Sequence, residues 1–192
     1  MKHLLRSLPA AAAMLVSPLV LTQCATGPTV ASADSTRISA DSRAALRSLY
    51  SQNPQARELG QRAKGVLVFP NITRGGFVVG GMGGNGALIR NDGSIRDFYQ
   101  TAGLSWGLQA GVQRHGYALF LMDRAAFANL NRAGGWEIGS SPTLVIFEEG
   151  MSASLSTTTI DSGTVAFFFN QRGLMGGLGL QGSRITRIQP NR

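Results

Sequence analysis

The sequence predicts an α+β fold, in which N-terminal helices pack on a curved, barrel-like antiparallel β-sheet with one short inserted helix. The longest helical pattern lies between about residues 38 and 63, and from residue 64 onwards short apolar runs alternate with turn signals. Glycine is abundant at 25 of 192 residues, whereas charged residues make up 15% and aromatic residues 7%. This composition is typical of a β-rich domain with many tight turns.

Two helices are predicted at the start of this domain. Residues 38–50 place apolar side chains at the spacing of one buried helical stripe, namely Ile38, Ala45, Leu46 and Leu49. Asn53 and Pro54 then form a helix start, with Asn as the N-cap and Pro at the first helical position. We expect this second helix to end at about Ala63.

Short strands are predicted over most of the remaining chain. Asn91-Asp92-Gly93 predicts a tight hairpin turn, because these residues tolerate positive φ. Asp123 predicts the N-cap of a short helix over residues 124–130, which Gly134 and Gly135 would end. The predicted strands are 65–69 (ended by Pro70), 76–80, 104–113, 117–122, 143–147, 151–156, 164–169, 174–181 and 184–188.

The clearest strand pattern lies between Leu104 and Gln113, where apolar residues alternate with polar residues or glycine. Period-2 alternation predicts a half-buried strand with one apolar face. Arg114-His115-Gly116 is expected to form a turn after it, which would leave His115 in solvent.

The N-terminal segment has the pattern of an export signal. Residues 1–24 combine a short basic region with an uncharged apolar run, too short to span a bilayer comfortably. Leu21-Thr22-Gln23-Cys24 resembles a lipobox with Cys24 as the lipidation site, although Gln23 departs from the small residue usual there. Alternatively, cleavage after Ala33 would release a soluble periplasmic or secreted protein. The predicted organisation is a signal peptide over 1–24, a flexible tether over 25–36 and a binding domain over 37–192.

The positive charge predicts an anionic partner. The formal net charge is +8, almost all of it from arginine, which binds phosphate in a bidentate manner. Between residues 37 and 64 there are two acids, Asp41 and Glu58, and six basic residues that we predict to contact a phospholipid surface: Arg37, Arg43, Arg47, Arg57, Arg62 and Lys64. The alternative is that these side chains form a solvated helix face.

The residue types needed for catalysis are scarce, so the sequence does not predict an enzyme. One cysteine and two histidines, of which His3 lies in the signal, cannot build a Cys/His metal site. No nucleophile elbow accompanies His115, and Glu148-Glu149 point to opposite faces if extended. Residues 81–86 fit a G-x-G-x-x-G pattern, but a strand rather than a helix is predicted to follow. We therefore interpret these glycines as permitting curvature and close backbone approach, with no nucleotide, metal or other cofactor expected.

Several ordered segments together resemble the SYLF domain family. They are Ala63-Lys-Gly-Val-Leu-Val-Phe-Pro-Asn-Ile72, Gly75-Gly-Phe-Val-Val-Gly-Gly81, residues 98–113 (FYQTAGLSWGLQAGVQ), Phe120-Leu-Met-Asp123 with the helix after it, and residues 173–183 (GLMGGLGLQGS). The resemblance covers about residues 38–188.

The resemblance implies lipid binding, to phosphoinositides in eukaryotic members, with an amphipathic N-terminal helix engaging the membrane. Some members also bind actin, and bacterial members are typically exported and often lipoproteins. No SH3 domain is recognisable in these 192 residues, so the actin-related role is not expected here. The transferable expectation is binding of anionic phospholipid, or of phosphoinositide-like headgroups, on the periplasmic side of the cell envelope.

Two other functions remain open from the sequence. One is a structural or protein-interaction module of the envelope, in which the Gly-rich segment 173–182 presents a sheet edge to a protein partner. The other is a carrier of a hydrophobic ligand in a cavity inside the curved sheet. Nucleic acid is the least favoured of the anionic partners.

Overall fold

A computed structural model describes residues 34–131, 134–137, 144–147, 163–172 and 183–191. These ranges contain three helices and six strands. In chain order they are α1 (Ser35–Gln52), α2 (Pro54–Arg62), β1 (Gly65–Ile89), β2 (Ile95–Leu121), α3 (Arg124–Leu130), β3 (Trp136–Glu137), β4 (Leu144–Phe147), β5 (Thr164–Arg172) and β6 (Ser183–Ile188).

Capping residues set the ends of the helices. The Asn53 backbone N–H donates to the Leu49 carbonyl at the end of α1, and its side chain accepts from the Ala56 N–H at 3.0 Å to start α2. This confirms the predicted boundary. The carboxylate of Asp34 accepts from the Thr36 N–H at 2.9 Å, so α1 begins earlier than predicted. Ser35 and Thr36, predicted as the end of the tether, belong to this helix.

A single long hairpin of β1 and β2 replaces four separately predicted strands. Pro70 does not end the first strand, because it lies at a register shift between Phe69 and Ile72, where a missing N–H is tolerated. The turn at residues 91–93 is confirmed, with Gly93 at φ 78°. The predicted turn at residues 114–116 is wrong, since β2 runs through it without interruption.

The rest of the sheet is built on the other edge of β2. There β6 pairs with residues 98–103 and β5 with residues 114–121, so the strand order is β3-β6-β2-β5-β4, with β1 beside β2. The pairs are antiparallel except β4 with β5, which are parallel. Helix α3 has the predicted bounds, whereas β3 was not predicted. The predicted strands 151–156 and 174–181 lie outside the described residues.

The sheet buries apolar side chains on both faces. The helix-side core lies under α1 and α2 and includes Leu46, Leu49, Leu59, Val66, Val68, Phe120 and Phe167. The inner core lies on the opposite face and includes Leu67, Phe69, Tyr117, Leu119, Leu121, Phe168 and Trp136. A strand that is covered on both faces is apolar at successive positions, which explains the run Val66-Leu67-Val68-Phe69.

Glycines allow β1 to fold over itself. A Cβ on Gly84 would overlap the Asn71 carbonyl, and a Cβ on Gly86 would overlap the Val68 carbonyl, although these pairs are many residues apart in one strand. The two halves of β1 therefore cross in close contact, as the interpretation of the glycine motif requires. The strand continues to Ile89, and no helix follows the motif. The predicted class, helices on a curved α+β sheet with an inserted helix, is confirmed.

The burial predicted for the alternating strand is wrong at both of its ends. Leu104 and Val112 are each 64% exposed, whereas the neighbouring Gln113 is buried. At both described ends of this strand the apolar residue is therefore on the exposed face, and at its C-terminal end the polar residue is on the buried one.

Candidate functional site

A groove lies between α1, α2 and the end of the β1–β2 hairpin, and it collects part of the predicted basic set. Its volume is about 680 Å³, with an adjoining depression of about 200 Å³. Four arginines border the two spaces, and we call this site the arginine groove: Arg43, Arg47, Arg57 and Arg90. Arg43 and Arg47 lie one helical turn apart on α1, so their side chains project to the same side.

The floor of the groove is apolar. Leu46, Val66 and Ile89 are buried members of the helix-side core. The ring of Tyr50 packs beside them, with its centroid 6.4 Å from that of Phe120. Burial raises the pKa of Tyr50 to about 12, so its phenol stays neutral and can donate a hydrogen bond at physiological pH.

The four guanidinium groups differ in how far they are already bonded. Arg43 Nη2 donates to the Gly93 carbonyl at 3.3 Å, and Arg57 Nε donates to the Tyr50 carbonyl at 3.1 Å. Within the described part of the chain, the side chains of Arg47 and Arg90 have no hydrogen bond or close ion pair, and no carboxylate lines the groove. The charge of Arg90 does act on the exposed Asp92 beside it, where it contributes to lowering the pKa of that carboxyl after the larger effect of hydrogen bonds from Ser94. The groove therefore offers free guanidinium donors above an apolar floor, the combination that suits a phosphate carrying hydrocarbon.

The other predicted basic residues lie elsewhere. Arg37 is 81% exposed and pairs with Asp41 at 3.8 Å in the first turns of α1. Arg62 ends α2 outside the groove lining. Lys64 acts on Asp123, whose pKa is lowered mainly by the N–H groups of Ala126 and Gly163 and to a smaller extent by this lysine. Cys24, the predicted lipidation site, lies outside the described residues.

Arg90 was missed by the sequence reasoning. It directly precedes the turn at residues 91–93, and it does not belong to a periodic sequence pattern that would mark a site. Only the packing of the hairpin end beside α1 brings it to Arg47. Its position next to a strong turn pattern predicts where the chain reverses direction. It does not predict which helix packs beside that turn.

His115 is also placed differently from the prediction. It is buried within β2 rather than solvated in a turn. Burial, and to a smaller extent the charge of Arg74, lowers the pKa of His115 to about 4, so the imidazole is neutral at pH 7.

Two further findings bear on the chemistry of the described ranges. They contain no group of three or more His, Cys, Asp or Glu side chains arranged to hold a metal ion. No helix among them is both long and apolar enough to cross a bilayer.

Comparison with known proteins supports the resemblance found in the sequence. Residues 102–190 match a family model described as "Ysc84: Las17-binding protein actin regulator". Over 136 residues, or 68% of this chain, the sequence is 27% identical to SH3 domain-containing YSC84-like protein 1 of Rattus norvegicus and of Mus musculus. It is 26% identical to the Bos taurus protein of that name over the same length. The chain spans about 40% of the length of these relatives. Over residues 102–190, this chain is therefore similar to the Ysc84 family, in agreement with the SYLF resemblance found in the sequence.

Proposed function

We propose that this protein binds anionic phospholipid headgroups at a membrane surface of the cell envelope and that the arginine groove is the binding site. The observation that carries the proposal is the position of Arg47 and Arg90, whose side chains have no described hydrogen bond or close ion pair and border an apolar floor. A phosphate would accept hydrogen bonds from these guanidinium groups, and the adjoining acyl or glycerol carbons would cover Leu46 and Ile89.

The magnitudes favour surface attachment that depends on salt. Each cation near an anionic membrane contributes about 1 kcal/mol, so four arginines acting together supply about 4 kcal/mol. Attachment of this strength is useful but weakens as ionic strength rises. A single acyl chain also anchors weakly on its own, so a lipidated Cys24 and the groove would reinforce each other.

The proposed location follows from the N-terminal segment. Residues 1–24 would direct export, after which the protein is either anchored through acylated Cys24 or released by cleavage after Ala33. Mass spectrometry of the mature N-terminus separates the two. An unprocessed N-terminus at Met1 in protein recovered from cells would contradict export.

Actin regulation is not part of the proposal. The family description refers to it, but this chain spans about 40% of the relatives whose name includes an SH3 domain. The alternative of a protein-interaction module depends on residues 173–182, which lie outside the described ranges. The alternative of an internal ligand depends on a different set of residues, on the sheet face opposite the helices.

Vesicle co-sedimentation of residues 34–192 tests the groove. With phosphatidylglycerol-containing vesicles at low salt, we expect Arg43→Glu with Arg47→Glu to reduce binding at least about tenfold, because two favourable charges become repulsive. The control is Arg37→Glu with Arg124→Glu, which makes the same change in net charge at exposed positions outside the groove. Equal loss in both double variants would mean that net charge, rather than the groove, determines binding.

A further inference from the structure

The sheet face opposite the helices contains buried polar atoms without partners. In the described ranges, six buried side-chain atoms have no hydrogen bond. They are Arg74 Nε, Thr101 Oγ1, Gln113 Oε1, His115 Nδ1, Tyr117 Oη and Trp136 Nε1. The last five belong to residues that are at most 4% exposed. Because buried polar groups in folded proteins are nearly always bonded, a concentration of unbonded ones indicates a missing partner.

These atoms belong to one face of the sheet. Thr101, Gln113, His115 and Tyr117 occupy odd positions of β2, the same parity as the inner-core residues Leu119 and Leu121. Two more residues join this face from neighbouring strands. Arg74 of β1 lies opposite Gln113 of β2. Trp136 of β3 and Thr101 of β2 both lie opposite Ile185 of β6, one on each side of it.

The curvature of the hairpin brings distant members of this face together. Thr101 and Tyr117 are sixteen residues apart, about 50 Å along an extended strand. Nevertheless, the Thr101 hydroxyl lies close enough to that of Tyr117 for a side-chain hydrogen bond, which lowers the pKa of Tyr117 against the larger effect of burial, which raises it. The contact is too loose to satisfy either hydroxyl by distance and angle, so each keeps the capacity to bond to a third group.

The face continues from Tyr117 towards solvent. The ring centroid of His115 lies 6.4 Å from that of Tyr117, and Arg74 is close enough for its charge to lower the pKa of His115. Arg74 is itself half-buried. A row of unbonded polar groups therefore runs inwards from a half-exposed guanidinium. We call Arg74, His115, Tyr117 and Thr101, with Gln113 beside Arg74, the inner polar row.

The chemistry of this row selects a ligand class. Its single formal charge is that of Arg74, because His115 is neutral at pH 7. The Tyr117 and Thr101 hydroxyls and the guanidinium supply donors, and the row has no described carboxylate to receive them. One positive charge with several donors complements a singly charged oxyanion. The aromatic rings of Phe69 and Phe168 lie against Tyr117, with centroid distances of 4.8 and 5.8 Å, so apolar surface adjoins the donors.

We propose that the inner polar row binds one singly charged oxyanion, a carboxylate or a phosphate ester, inside the curved sheet. This site is on the sheet face opposite the arginine groove and does not depend on it. The anion is either free or the head of an amphipathic molecule, since both present the same oxygens to Arg74, Tyr117 and Thr101.

Calorimetric titration of the full mature chain with acetate, inorganic phosphate and decanoate tests the proposal. We expect at least one of these anions to bind, and we expect Arg74→Gln and Tyr117→Phe each to weaken that binding about tenfold, the usual effect of losing a charge-assisted or buried hydrogen bond. The matched control is Arg114→Gln, which removes the same charge from the neighbouring, exposed position whose strand partners are Thr73 and Arg172. This control should change binding less than twofold.

The result also identifies the source of the anion. Binding of decanoate alone indicates an amphipathic ligand, whereas equal binding of acetate or phosphate indicates a free anion. The arginine-groove variant with Arg43→Glu and Arg47→Glu should keep this binding while losing vesicle binding, so failure of one proposal is distinguishable from failure of the other. Circular dichroism checks that each variant is folded. Absence of heat with all three anions, or equal affinity of Arg74→Gln and Arg114→Gln, would overturn the proposal and leave only buried water as the partner of these atoms.

Discussion

The two faces of the β1–β2 hairpin contain polar groups of opposite character. On the helix side, the arginines border an open groove at the edge of the core, and their charges stay in contact with water. On the inner side, hydroxyl, amide and imidazole groups are enclosed without hydrogen-bond partners. Both faces are supplied by alternate residues of the same strands, as Ala118 and Phe120 on one side and Tyr117 and Leu119 on the other illustrate.

The two faces therefore differ in how much an unpaired polar group lowers the stability of the fold. An exposed arginine without a partner costs little stability, since water solvates it. A buried polar group without a partner costs about 1–3 kcal/mol. The inner polar row is therefore the more demanding feature of the fold, and substitutions on the two faces should affect stability differently even where both faces bind anions.

The largest effect is expected where the curl of the inner face is formed. Gly86→Ala should lower the free energy of unfolding by about 3 kcal/mol, because the added Cβ overlaps the Val68 carbonyl and the Phe69 ring and the backbone must move. Gly93→Ala is the matched control, with φ 78° but no atom within 4 Å of the added Cβ. It should cost about 1 kcal/mol from backbone conformation alone. Urea denaturation measures both, and similar losses would contradict the close crossing of β1.

A pH-dependent effect should distinguish the inner face. The pKa of His115 is lowered to about 4 in the folded protein, from an ordinary value of 6.5. Below pH 6.5 the unfolded chain therefore takes up a proton that the folded protein does not, and stability falls progressively towards pH 4. This contribution should amount to about 2 kcal/mol, less than the full shift implies, because a charged imidazole draws in water.

The control for this effect is His115→Gln, which keeps a polar side chain but does not titrate. Free energies of unfolding measured at pH 7.5 and pH 4.5 should differ more for the natural protein than for the variant. Carboxylates contribute equally to both proteins, so the comparison isolates His115. Parallel pH profiles would show that this histidine is hydrated in the folded state.

The aspartates that cap α3 and α1 also differ in burial and in the number of hydrogen bonds that they accept. Asp123 accepts hydrogen bonds from the Ala126 N–H at 2.8 Å and the Gly163 N–H at 2.7 Å, which ties α3 to the start of β5. Asp34 accepts one bond, from Thr36, at an exposed position. Asp123→Ala should therefore cost about 1.5 kcal/mol and Asp34→Ala about 0.5 kcal/mol in thermal or urea unfolding. A larger loss at Asp34 would mean that the attachment of α1 depends on its first turn.

The pKa of Asp123 gives this effect a defined pH window. Its folded pKa is lowered, mainly by the bonds from Ala126 and Gly163, so its contribution is present above its unfolded pKa and is lost as pH falls through the folded value. Acidification should thus reduce the difference between the natural protein and Asp123→Ala.

Local signals in the sequence were sufficient for the helices and the hairpin turn but not for the lengths of the long strands or for the sites. Asn53-Pro54, Asp123 and residues 91–93 each act through hydrogen bonds or φ values within a few residues, so their roles could be predicted. The arginine groove was predicted in part, since Arg43 and Arg47 share a helix face whatever surrounds them. Arg90 could not be predicted, because its neighbours come from an element about forty residues earlier in the chain.

The inner polar row was hidden for a related reason. An alternating pattern shows that two faces differ but not which of them is buried, and the apolar face between Leu104 and Val112 was assigned to the interior. The structure instead buries Gln113 and His115 and exposes both ends of the apolar series. The curl that reverses this assignment comes from long-range contact between Gly84 or Gly86 and the first half of β1. A local hydrophobic pattern cannot predict a contact between residues that are so far apart in the sequence.

The smallest expected effect is also the one that separates stability from binding on the inner face. Tyr117→Phe removes a hydroxyl that is fully buried, and whose contact with the Thr101 hydroxyl is too loose for good hydrogen-bond geometry, while keeping the ring contacts with Phe69 and Phe168. We expect the ligand-free protein to become more stable by about 1 kcal/mol, because the desolvation cost of the hydroxyl disappears. Tyr50→Phe is the control on the helix side, where the hydroxyl is less enclosed, and should be nearly neutral. Urea denaturation of ligand-free protein measures both. A loss of stability in Tyr117→Phe would show that the hydroxyl is already well bonded, to Thr101 or to internal water. A gain, combined with weaker anion binding, would show that this position favours ligand binding over stability.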